Sequence, residues 1–77
     1  MKPWHLGMLT HDSYAVGHSI ASLNLAARRV VFVALRRNEK EMTPPDESTV
    51  LQDQDTIIVR GKPRRVEWAE RFLQKGE

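Results

Sequence analysis

Seventy-seven residues without cysteine describe one small domain that has neither disulfides nor a thiolate zinc site. Lysine plus arginine number 12 and aspartate plus glutamate 10, so the net charge of +2 is too slight for a nucleic-acid-sized field. No run of about 18 apolar residues is present to span a bilayer, and "MKPWHLGML" is too short and interrupted for a signal-peptide core.

Trp4, Leu6 and Met8 alternate with His5 and Gly7, the period-two pattern of a half-buried strand ending near Leu9. "THDSYAVGHS" then collects loop residues. "HSIASLNL" suits a short helix with Ser19 as N-cap and with Ile20 and Leu23 facing inward. Its capping box is incomplete, because Ser22 stands where glutamate or glutamine belongs. "RVVFVALRR" is β-branched and apolar without alternation, which favours a strand covered on both faces. A polar turn follows in which Asn38 tolerates the left-handed conformation, and a short returning strand at Glu41 to Thr43 stops at Pro44 and Pro45.

Thr56 to Val59 forms another β-branched run, closed by Gly61. Pro63 fits the first position of a final helix, where a missing amide costs nothing. On that helix Val66, Ala69 and Leu73 form one apolar row with Trp68 and Phe72 beside it, and Glu67 precedes Arg71 by one turn as a favourable pair. The pattern predicts an α+β domain of order βαβββα, with a small, mostly antiparallel sheet of about four strands and two helices. Two short helices cover one sheet face, yet the central strand reads as buried on both. A partner or second copy is therefore expected on the other, and a homodimer is the simplest closure.

The acidic residues of "TPPDESTVLQDQDTIIVRG" do not make a calcium loop, since Asp46, Glu47, Asp53 and Asp55 lack its central glycine and its spacing. Asp46 and Asp53 are expected to bond turn amides, and Asp55 to open a strand. His5, His11 and His18 lie six and seven positions apart, unlike a zinc-binding pair, so no metal or cofactor is expected. Ser13, Ser19, Ser22 and Ser48 lie outside any Gly-x-Ser-x-Gly elbow, which argues against an enzyme.

The arginines carry more information. Arg28 and Arg29 precede the central strand, Arg36 and Arg37 follow it, and Arg60, Lys62, Arg64 and Arg65 lead into the last helix. Guanidinium groups suit phosphate, although arginines also serve solubility at strand ends. Trp68 and Phe72 read as core, so aromatics interleaved with the basic residues are missing for broad nucleic-acid binding.

From "VGHSIASLNL" onward the order of segments resembles the TrkA C-terminal, or RCK C-terminal, domain of bacterial potassium channels and potassium/proton antiporters. The likeness runs through Val16–Ile20, Leu23–Leu25, Val30–Arg37 and Asn38, then Pro45, Glu47, Ser48, Val50 and Asp55 before Ile57–Gly61. Departures are His18 for lysine, Ser22 for an acidic residue, and Gln54 where glycine precedes Asp55. The tail "VEWAERFLQKGE" is similar to that of glutathione-gated efflux antiporters.

The resemblance implies a non-catalytic cytoplasmic regulatory domain, residues 1–77 forming one unit of a longer transport protein and Met1 being a start codon or a domain boundary. Such a domain dimerises and is tethered to the inner membrane through a potassium transporter or channel. Some relatives bind cyclic di-AMP at the dimer interface, which by position points to Leu25, Arg28 and Arg29; chemistry adds Arg36 and Arg37 as candidates. Val30, Val31, Phe32 and Val33 are the expected dimer surface. No nucleic acid is expected as a partner. The rival reading is a free-standing basic adaptor that binds nucleic acid or an acidic protein.

Overall fold

The computed structural model describes residues 3–76. Strand β1 (Trp4–Met8) is followed by helix α1 (Ile20–Leu23), a 3-10 turn (Leu25–Arg28), and strands β2 (Val31–Arg37), β3 (Lys40–Met42) and β4 (Thr56–Arg60). Helix α2 (Pro63–Lys75) completes the chain. The sheet has order β1-β4-β2-β3 and every pair is antiparallel, giving the α+β class expected of the sequence.

Local chemistry accounts for most boundaries. Ser19 caps α1 by accepting from the Ser22 amide at 3.1 Å, and Asn24 stops it in the left-handed region at φ 51°. Arg29, at φ 60°, ends the 3-10 turn the same way and aims the chain into β2. Asn38 and Glu39 both take positive φ, 50° and 67°, and join Arg37 to Lys40 by the two-residue turn whose twist matches the strands. Pro63 begins α2, and Gly76 at φ 76° ends it by donating its amide to Phe72 O at 2.7 Å.

Leu35, Leu51, Ile57, Val59 and Leu73 are almost wholly buried and form the middle of the core. Val66, Ala69 and Leu73 supply the inner row of α2, as the helical spacing predicts. Trp4, Leu6 and Met8 alternate along a half-buried strand as expected; they point away from the helices and remain exposed, while His5 and Gly7 face α2. The helix packs close on that side, where the His5 ring lies over Gly7 and its Nδ1 comes within 3.6 Å of Glu70. Trp68 and Phe72 are only half-buried; they stack at 4.9 Å on the flank of α2, with Tyr14 5.5 Å from Phe72. Glu67 and Arg71 form no ion pair.

β2 is not covered on both faces within one chain: Val31 is exposed and Phe32 and Val33 are half-buried. A bulge between Phe32 and Ala34 shifts the register against β4. β3 pairs with Leu35–Arg37 alone, so no strand bonds the earlier part of β2 on that edge among the described residues. No helix of the described residues is long and apolar enough to cross a membrane.

Candidate ligand groove

Beside that open edge lies a groove of about 600 Å³. Its floor is apolar, because Ile20, Leu25 and Val30 reach it from the core. One wall is α1 with the 3-10 turn; the facing wall is the segment Pro44, Pro45 and Glu47. The two walls are bonded together: Ala21 N donates to Glu47 O at 2.9 Å and Ile20 N to Thr49 O at 3.0 Å. A groove held this way is largely formed before any ligand arrives.

The loop behind the second wall has its own fixings. Asp46 Oδ1 accepts from the Ser48 hydroxyl at 2.7 Å and the Ser48 amide at 2.8 Å, an Asx turn as expected. Those bonds hold its carboxyl below the usual carboxylate range, the hydroxyl contributing more than the amide. Further on, Asp55 is 1 % exposed and takes a forked pair from Arg37, Nε to Oδ1 at 2.8 Å and Nη2 to Oδ2 at 2.7 Å. Gln52 N donates to the same carboxylate at 2.8 Å, and Arg37 Nη2 also reaches Val50 O at 2.9 Å. The bond to Asp55, with its charge, raises the guanidinium pKa against the opposing effect of burial. Asp55 therefore opens β4 as expected, and in addition locks the returning loop to the end of β2.

The sequence candidates separate accordingly. Leu25, Arg29, Val30, Val31 and Phe32 all line the groove, with Arg29 exposed. Val33 lies at the bulge, outside the lining. Arg28 turns toward α2, its guanidinium 5.0 Å from the Trp68 ring. Arg36 points to the opposite face of the sheet beside Leu6, Ala34 and Thr56. Arg37 is committed to Asp55. Sequence reasoning missed Pro44, Pro45 and Glu47 as a wall of the groove; the paired prolines after a short strand were its one visible sign.

The histidines stay apart. His5 is beside Glu70, His11 pairs with Asp12 at the surface, and His18 packs on the Tyr14 ring at 4.5 Å. Among the described residues no three His, Cys, Asp or Glu side chains gather as a metal site would need.

The sequence profile of the TrkA-C domain matches residues 8–74. The chain belongs to the TrkA-C domain family. Its fold also matches the RCK_C domain dimer of S. agalactiae BusR in complex with c-di-AMP, with a TM-score of 0.75 at 23% identity, covering 94% of this chain and 91% of that one. The RCK C domain of the potassium transport protein KtrA, in complex with cyclic diadenosine monophosphate, gives 0.74 at 20% identity over 88% and 81% of the two chains. BusR with its busAB-promotor DNA gives 0.75 at 22% identity over 92% of this TrkA-C domain, which spans 35% of that longer chain. Among curated protein sequences none matches significantly.

Proposed function

We propose that this TrkA-C domain is a non-catalytic regulatory module, in which two copies meet along the open edge of β2 and close the groove over a small anionic ligand. The observation that carries this reading is the juxtaposition of an apolar groove, an unpaired strand edge and Arg29, which has no carboxylate partner among the described residues. A cyclic dinucleotide such as cyclic di-AMP fits that chemistry. Its bases would lie on Ile20, Leu25 and Val30, its phosphates beside Arg29. A two-fold ligand also suits a groove repeated by a second copy, with Val31 and Phe32 at the junction. Ligands of the structural neighbours BusR and KtrA support the choice.

In the cell the domain would act inside a longer cytoplasmic protein, tethered to a potassium channel or antiporter. A ligand that binds one dimer geometry more tightly than another biases the attached transporter by that difference in affinity. Melting with and without cyclic di-AMP tests the reading: at 100 times the dissociation constant a native-state ligand adds about 2.7 kcal/mol. No shift with any adenine cyclic dinucleotide removes the ligand, and a strict monomer by sedimentation removes the shared groove.

The BusR–DNA structures favour a second reading, in which the domain works within a DNA-binding regulator. Salt-dependent retention of duplex DNA by the 77-residue chain would support direct contact.

A further inference from the structure

The face of the sheet opposite the helices has a composition that the regulatory reading uses only at Val31. Cross-strand register puts three rows on it: Trp4–Arg60–Val31, Leu6–Ile58–Ala34, and Met8–Thr56–Arg36–Glu41. Trp4, Leu6, Met8 and Val31 are 45, 54, 57 and 50 % exposed. Contiguous apolar surface of this kind on a small domain marks an interaction site.

The cations on and around this face have no carboxylate partner among the described residues. Arg36 and Arg60 form no ion pair among the described residues, although Arg36 is directly across from Glu41. Beyond the Trp4–Arg60–Val31 row the basic residues continue. Arg65 Nη1 bonds Arg28 O at 3.2 Å, Gly61 packs against Arg29 O, and Lys62 and Arg64 flank the start of α2. None of these side chains is paired with a carboxylate among the described residues.

We infer that this face docks on an anionic lipid bilayer, with Trp4, Leu6 and Met8 entering the headgroup layer while Arg36, Arg60 and the adjoining basic end contact lipid phosphates. Charge decides against a second copy as the occupant. Stacking the face on itself would bring together four arginines and only two glutamates, Arg36, Arg60 and Glu41 of each copy. Apolar content decides against nucleic acid, whose phosphates reward the arginines but not Leu6 or Met8. A lipid surface rewards both, since apolar side chains and tryptophan settle at the headgroup boundary and each nearby cation adds electrostatic attraction.

The test is co-sedimentation of the 77-residue chain with vesicles of phosphatidylcholine alone and of phosphatidylcholine with phosphatidylglycerol. Binding is expected on the anionic vesicles only, weakening with salt and accompanied by a blue shift of Trp4 emission in a Trp68→Phe background. Arg60→Gln should lower the partition about fivefold, the share of one cation near an anionic surface. The double variant Leu6→Glu, Met8→Glu should lose binding by more than about tenfold while keeping its circular dichroism, because both positions are exposed. Equal binding to neutral vesicles, no binding at low salt, or full binding by the double variant would overturn the inference. A double variant that instead changes sedimentation from dimer to monomer would assign the face to a second copy and overturn it too. The nucleotide-dependent melt of the same variants reports separately on the groove, because Leu6, Met8 and Arg60 lie outside its lining.

Discussion

Replacing Asp55 by asparagine removes the charge from the most enclosed polar group of the fold while keeping its shape. The carboxylate accepts three hydrogen bonds, two from Arg37 and one from Gln52 N, at 2.7 to 2.8 Å. An asparagine retains one acceptor oxygen and turns an NH₂ group toward groups that can only donate. Breaking a buried pair by removing one partner costs about 3–5 kcal/mol. Arg37 keeps a side-chain exposure of 26%, so water recovers part of that, and the expected loss is about 3 kcal/mol. Against a total of roughly 4–11 kcal/mol for a chain of this length, the melting temperature should fall by about 12–24 °C. Urea unfolding should show a lower midpoint with unchanged slope. The companion variant Asp55→Leu with Arg37→Met removes both charges and should recover much of the loss, since an apolar replacement leaves no ion stranded. A cost below about 0.5 kcal/mol for Asp55→Asn, or a double variant less stable than the single one, would refute the reasoning.

Gln54 occupies the left-handed region at φ 70°, so Gln54→Gly relieves backbone strain of about 1–2 kcal/mol at the expense of a more flexible unfolded chain. A net gain of about 0.5 kcal/mol is expected in a thermal melt; a loss would show that the glutamine side chain itself stabilises the turn. The Asp46 carboxyl titrates below its ordinary range, so its contribution to stability is complete above the unfolded value of about 3.9 and disappears as pH falls through the lower folded value. Carbon-detected NMR of that carboxyl should show Ser48→Ala moving the midpoint up, whereas an unmoved midpoint would discard the Asx bonds as its cause. Arg29→Gln should weaken cyclic di-AMP about tenfold or more, the usual worth of a charge-assisted bond, with little change in the unliganded melt because Arg29 is exposed. Undiminished affinity would move the phosphate site away from the groove rim.

Much of this was visible in residue order. The β-branched runs named β2 and β4, Pro63 set the start of α2, Asn38 placed the hairpin, and the spacing of Val66, Ala69 and Leu73 oriented the last helix. Each of these features depends on a few neighbours in sequence, so local chemistry decides it. The left-handed residues Arg29 and Glu39 left no such mark, because ordinary side chains adopt that conformation only when the surrounding structure holds them there.

The direction of β1 is the sharpest case. Alternation required that Trp4, Leu6 and Met8 share a face, and could not say which face, since period two is the same viewed from either side. The close packing of α2 over Gly7 and His5 settled it, and with it the apolar, basic surface opposite the helices. The arginines show the same division. Their composition proposed phosphate contacts at several positions, but only tertiary structure gave Arg37 to Asp55, turned Arg28 onto Trp68, and left Arg29 at the mouth of the groove. A side chain's type is written in the sequence; whether its charge is already spent depends on what folding brings within hydrogen-bond reach.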